Sequence, residues 1–222
     1  DTVILTGTGK NLSVSGTTAI YTNTVTTSGT QTYTGAVTLG ANTTLTTTNS
    51  AVGFSSTVNS VSTTPYSLTV NSGAANTSFA STVGATNALS SLSVTSSTAI
   101  ILTSNVTTAG AQTYTGPVTL SGAVTLNSNS ATANGAIAFT STINNTTSTA
   151  RALTITSGSG NVTFGGVIGG GAYAGLSSLE ITSTGTTAIN GGAVTTVGVQ
   201  TYGAAVTLGA NTTLTTTNSA VG

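Results

Sequence analysis

Cysteine, methionine, tryptophan and histidine are absent from the 222 residues, proline occurs twice, and the charged residues are two Lys+Arg and two Asp+Glu. Each gap closes a branch of chemistry. Without Cys or His there is no disulfide framework, no thiolate or imidazole metal ligand, and no imidazole to activate the many Ser and Thr hydroxyls. Lys10 and Arg151 are too few to neutralise a run of phosphates, so nucleic acid is not an expected partner. Asp1 and Glu180 stand almost a whole chain apart, which leaves neither the paired carboxylates of a glycan-cleaving site nor the cluster that holds calcium. No catalytic, cofactor-binding or metal residue is expected, and the chain does not read as an enzyme. Charged residues are 2% of the chain, against about 25% in ordinary soluble domains. A surface of neutral Thr, Ser, Asn and Gly repels its own copies weakly, which suits an immobilised or self-assembling protein. No stretch approaches the ~20 consecutive apolar residues of a membrane-spanning helix, so membrane insertion by this segment is not expected.

What is present is repetition. Residues 31–53, QTYTGAVTLGANTTLTTTNSAVG, return almost unchanged at 200–222, and a looser copy, QTYTGPVTLSGAVTL, occupies 112–126. Long units lie near 11–90, 91–177 and 178–222, the last one truncated. Each divides into four shorter units of ~15 to 26 residues, with 52–66 and 135–151 the shortest. Neither terminus carries a charged-then-apolar leader, and the last residues stop partway through the motif, so the sequence is read as an excerpt of a longer array.

Inside the short units apolar and small polar residues alternate, as in Leu12-Ser13-Val14, Leu68-Thr69-Val70, Leu92-Ser93-Val94, Val118-Thr119-Leu120, Leu153-Thr154-Ile155 and Leu179-Glu180-Ile181. Period two is the signature of strands. Thr, about a quarter of the chain, is β-branched and favoured on a pleated surface. Asn-Ser and Gly clusters mark the turns. A unit of two or three short strands cannot bury a core alone, so units must stack. These features predict one all-β domain, a right-handed parallel β-helix (β-solenoid) of about ten turns over residues 1–222 with no significant helix. Tandem immunoglobulin-like sandwiches are the alternative that the long unit permits, but a sandwich has no reason to show the shorter period. Disorder is the other alternative, and 37% hydrophobic residues in regular alternation speak against it.

Stacking like on like predicts one inward ladder of Leu12, Leu68, Leu92, Leu153 and Leu179, and another of Ile20, Ile100 and Ile189. It also sets Phe79 with Phe164 and Phe54 with Phe139, at the ~4.8 Å strand spacing.

The segments NVTFGG at 161–166, GLSSL at 175–179, TTAINGG at 186–192 and QTY at 200–202 with AVTL at 205–208 resemble the repeats of very large bacterial surface proteins, the filamentous-haemagglutinin-like and autotransporter-like adhesins. The resemblance is one of repeat grammar and runs from about Asn11 onward. It implies a secreted β-helical stalk or fibre, extracellular or at the cell surface, that projects adhesive regions or forms filaments. Implied partners are further copies of the chain, end to end or laterally, and cell-surface glycans. No site residue carries over.

Three features remain as candidate sites. Tyr33, Tyr114 and Tyr202 recur in the Gln-Thr-Tyr segment and should share one face or edge of the rod. Exposed, they would form an aromatic strip for glycans or a neighbouring fibre; buried, they are ladder residues with the hydroxyl at the margin, which repeat spacing favours. Asn49, Asn71 and Asn127 are candidates for axial amide ladders. Thr43–Thr48 and its copy 212–217 suggest an ice-binding plane, against which stands the uneven length of the turns. Gly169-Gly170-Gly171 superficially resembles a calcium-binding β-roll, but the aspartates of that repeat are missing, and a turn or bulge is expected there.

Overall fold

The computed structural model describes residues 2–5, 7–130, 134–173 and 175–222; Asp1 lies outside them. The described residues form strands and no helix, and parallel strands stack as a β-solenoid of about nine turns. Three faces run along the coil. The first is a ten-stranded sheet from Thr2–Leu5 to Val206–Leu208. The second runs from Leu12–Val14 to Ile143–Asn145 and continues through Ile168 to Ala193–Thr195 and Thr213–Thr215. The third begins at Thr18–Ile20, passes through Val83 to Gln200–Tyr202, and continues in a bridge from Gln200 to Val221.

Alternation determines the interior. In Thr43–Thr47, Leu92–Ser96 and Ala152–Gly158 every second side chain is buried, and the residues between point outward. The core is one continuous column from Ile20 to Val194. Two aromatic stacks run within it. Tyr33, Phe54 and Phe79 follow one another on the second face at ring separations of 5.2 and 5.1 Å. Tyr114, Phe139 and Phe164 do the same on the first face at 5.1 and 5.6 Å. Parallel in-register strands force such offsets, because each ring has its neighbour one strand spacing away.

The stacking corrects several expectations. Leu68 and Leu92 are ladder neighbours on the first face, Leu153 and Leu179 are neighbours on the third, and Leu12 belongs to the second. Ile20, Ile100 and Ile189 are likewise divided among the third, second and first faces. Phe54 stacks on Phe79, and Phe139 on Phe164, rather than the reverse pairing. The cause is a count. Ten strand segments separate Gln31–Tyr33 from Gln112–Thr115, with Val83 as a one-residue segment, and ten separate the latter from Gln200–Tyr202, with Ile168 in that role. A long unit is therefore eleven strands on a three-faced coil, three and two-thirds turns rather than four. The short units at 52–66 and 135–151 hold two strands each, not the three of a full turn. Equivalent residues of successive long units consequently fall on different faces.

Turn length varies from 18 residues, Ile100 to Val118, to 29, Leu126 to Ile155. The variation lies mostly in corners, with register shifts near the ends of Leu68–Gly73 and Ala152–Gly158. Where a tight return is needed, glycine supplies it: Gly84 and Gly169 occupy equivalent positions of successive long units with φ of +69° and +67°. A Cβ on either would overlap a backbone carbonyl of the next turn, Thr107 or Thr195. Gly169 thus belongs to a turn, in line with its sequence context.

Candidate functional site

Tyr33, Tyr114 and Tyr202 stand on the second, first and third faces respectively, so they form no strip. Tyr33 and Tyr114 are buried and Tyr202 is half-buried. Each phenol donates to the preceding glutamine's Oε1: Tyr33 to Gln31 at 3.1 Å, Tyr114 to Gln112 at 2.9 Å, Tyr202 to Gln200 at 3.0 Å. The glutamine amide then reaches three oxygens. Gln31 Nε2 lies 3.1 Å from the Val25 carbonyl, 3.3 Å from Thr27 Oγ1 and 3.0 Å from the Thr46 carbonyl of the next turn. Gln112 repeats this with Val106, Thr108 and Asn127. Gln200 does so with Val194, Thr196 and Thr215. The threonine hydroxyl in turn donates to a carbonyl two residues on, Gly29, Gly110 or Gly198.

The arrangement is a buried polar clamp across a corner. Its glutamine sits on one face, its Val-Thr-Thr on the preceding face, and its last acceptor one turn away, so it fixes the bend and the stacking together. Buried polar groups require such satisfaction. The sequence carries the whole unit three times, as Val-Thr-Thr-x-Gly-x-Gln-Thr-Tyr from 25, 106 and 194. Its upstream half is the signal that the Gln-Thr-Tyr reading passed over. Burial raises the phenol pKa of all three tyrosines, that of Tyr202 to about 12.

Asn49, Asn71 and Asn127 form no amide ladder. Asn71 lies on the first face and Asn127 on the third, where its Oδ1 accepts from the Asn129 amide at 2.8 Å. Asn49, at φ +51°, accepts from Ala74 N one turn on at 2.9 Å. Other corner asparagines do the same: Asn11 to Thr30 N, Asn42 to Ser67 N, Asn105 to Thr125 N, Asn161 to Thr186 N, at 2.8 to 3.0 Å. Asn side chains thus replace the ladder bond where the backbone turns away.

The outward threonines are more regular than turn length suggests. On the first face five consecutive strands bring Thr24 and Thr26, Thr44 and Thr46, Thr69 and Asn71, Ser93 and Thr95, and Thr113 and Thr115 into two parallel ranks. Corner loops absorb the length differences, and the register on the face survives. The copy at 212–217 lies on the second face instead.

Glu180 points outward on the third face, Lys10 is exposed, and Arg151 lies in a corner loop with its buried Nε unpartnered. Among the described residues no group of three or more His, Cys, Asp or Glu could hold a metal, and no helix is long and apolar enough to cross a membrane. No protein-family model, curated protein or solved structure matches the chain.

Proposed function

We propose that the chain is a structural segment, a stalk or fibre of a large extracellular repeat protein, that projects adhesive regions or builds filaments and performs no catalysis. One observation carries this reading: a nearly identical 23-residue sequence forms the same strands on different faces. Gln31–Tyr33, Val37–Leu39 and Thr43–Thr47 run second, third, first, whereas Gln200–Tyr202, Val206–Leu208 and Thr213–Thr215 run third, first, second. A unit indifferent to the face it starts on can be added without limit, and length is then the selectable property. The neutral, hydroxyl-rich surface and the resemblance to adhesin repeats support a role outside the cell, and self-association of coils fits the weak charge repulsion.

Electron microscopy of a chain lengthened by one long unit tests the rod, which should grow by roughly 18 Å at ~4.8 Å per turn. Surface location is tested by antibody labelling of intact against permeabilised source cells. Label seen only after permeabilisation overturns it.

A second reading rests on the two threonine ranks of the first face, whose spacings are ~4.8 Å across strands and roughly 6.6 Å along them. An uncharged lattice, mostly of hydroxyls and methyls, is the surface an ice plane would meet. Thermal hysteresis lost on changing Thr46 and Thr95 to Lys supports it; no hysteresis in the unaltered chain removes it.

A further inference from the structure

Most corners are short: Ser28, Gly29 and Thr30 suffice between Thr24–Thr27 and Gln31–Tyr33. The corner between Val58–Ser60 and Leu68–Gly73 spends seven residues, 61–67, and the turn above spends eight, 84–91, between Val83 and Leu92–Ser96. Long ordered loops on a rigid scaffold are where binding concentrates. This pair is fastened together from beneath. Ser60 Oγ accepts from Tyr66 N at 3.0 Å and donates to the Ala88 carbonyl at 2.9 Å. Asn59 Oδ1 accepts from Thr86 N at 3.0 Å, and Ser90 N donates to the Tyr66 carbonyl at 2.9 Å. The next long unit rebuilds the scaffold with Asn145, which accepts from Arg151 N at 3.0 Å and donates to the Gly175 carbonyl at 3.2 Å, and with Asn144, which accepts from Gly171 N at 2.8 Å. Two loops clamped identically in two units are a built feature and not slack.

Between the first two loops lies a hollow of about 230 Å³. Four polar residues, Thr63, Thr86, Asn87 and Ser130, line it beside the apolar Pro65, Ala88 and Ala109, and Ser62 completes the lining with its Oγ accepting from Thr64 N at 3.3 Å. Among the described residues none of those four polar side chains is committed to a hydrogen bond within the chain. Every lining residue is uncharged. Neutral hydroxyl and amide groups beside a small apolar surface match a neutral sugar ring, with hydroxyls at its edge and C–H groups on its face.

We infer that the 61–67/84–91 corner is a binding site for a neutral oligosaccharide, separate from the buried tyrosines. The site goes beyond the stalk reading and does not depend on it. The test titrates the 222-residue chain with neutral tetrasaccharides of glucose, galactose, mannose and N-acetylglucosamine, following backbone amides by NMR. At least one should move the amides of Thr63, Thr86, Asn87, Ala88 and Ala109 and leave the other corners still. Asn87→Ala should weaken that binding roughly five- to tenfold, the loss of one directed hydrogen bond, and Ala88→Phe should abolish it by filling the hollow, both with the unfolding midpoint retained. Thr63→Ala, at an exposed position, decides the matter if either variant fails to fold. Silence from all four sugars, shifts centred elsewhere, or equal affinity in Ala88→Phe overturns the assignment.

Discussion

The Tyr114 phenol donates to Gln112 Oε1 across 2.9 Å in the interior of the coil, although the two residues are next-but-one on a single strand. The bond uses the glutamine's acceptor and leaves its amide to hold the preceding strand at Val106 and the next turn at Asn127. Gln112→Ala should therefore cost about 3 kcal/mol, because it leaves the buried Tyr114 hydroxyl without its acceptor, removes the amide's bonds to the Val106 and Asn127 carbonyls and empties a buried position. Gln200→Ala should cost less, since Tyr202 is only half-buried. Urea unfolding of the two variants checks the order.

Alkaline pH should destabilise the coil. The three phenols have folded pKa values raised by burial above the usual 10.0. A raised pKa means that the native state holds its proton more tightly than the unfolded chain. The contribution is thus complete below about pH 10 and fades as pH climbs through the folded value, about 12 for Tyr202. Thermal midpoints measured from pH 7 to 12 should stay level and then fall. Tyr114→Phe should flatten the fall while costing about 1 kcal/mol at neutral pH, from the bond Gln112 loses.

Phe54 is held between Tyr33 and Phe79, its ring nearly parallel to both at interplanar angles of 10° and 7°. Phe54→Ala should cost about 3 to 5 kcal/mol, and Phe54→Leu much less, because leucine keeps most of the buried volume. Hydrogen exchange should locate the loss in the turns carrying Tyr33 and Phe79, as expected for a coil whose turns touch only their neighbours.

Gly84→Ala should destabilise by about 2 kcal/mol or more, since alanine is strained at φ +69° and its methyl would overlap the Thr107 carbonyl. Gly53→Ala, where the nearest atom to the added methyl would be Ser78 Oγ at 3.4 Å, should be far milder. Circular-dichroism melts of the two variants separate them.

The parallel strands were legible from sequence because Leu-x-Val and Val-x-Leu alternation needs only neighbouring residues. Inward positions such as Leu45, Val94 and Ile155 follow from it. Ladder partners were not legible. Pairing Leu12 with Leu68 assumes that equivalent residues stack, and an eleven-strand unit on three faces breaks that assumption. Tyr33, Tyr114 and Tyr202 failed as a strip for the same reason. The clamp was half legible: the motif from Val25 to Tyr33 is visible as text, but its partner at Thr46 depends on where the next turn lies. The two threonine ranks were hidden because sequence spacing mixes the strands, which keep register, with the corners, which do not.

Three does not divide eleven, and that mismatch bears on how such chains change size. Recombination that gains or drops one complete unit leaves every hydrogen-bonded junction intact, yet swings all that follows by a third of a revolution. A lineage could thus re-aim everything distal to the event, toward a different side of its surroundings, with no substitution at all.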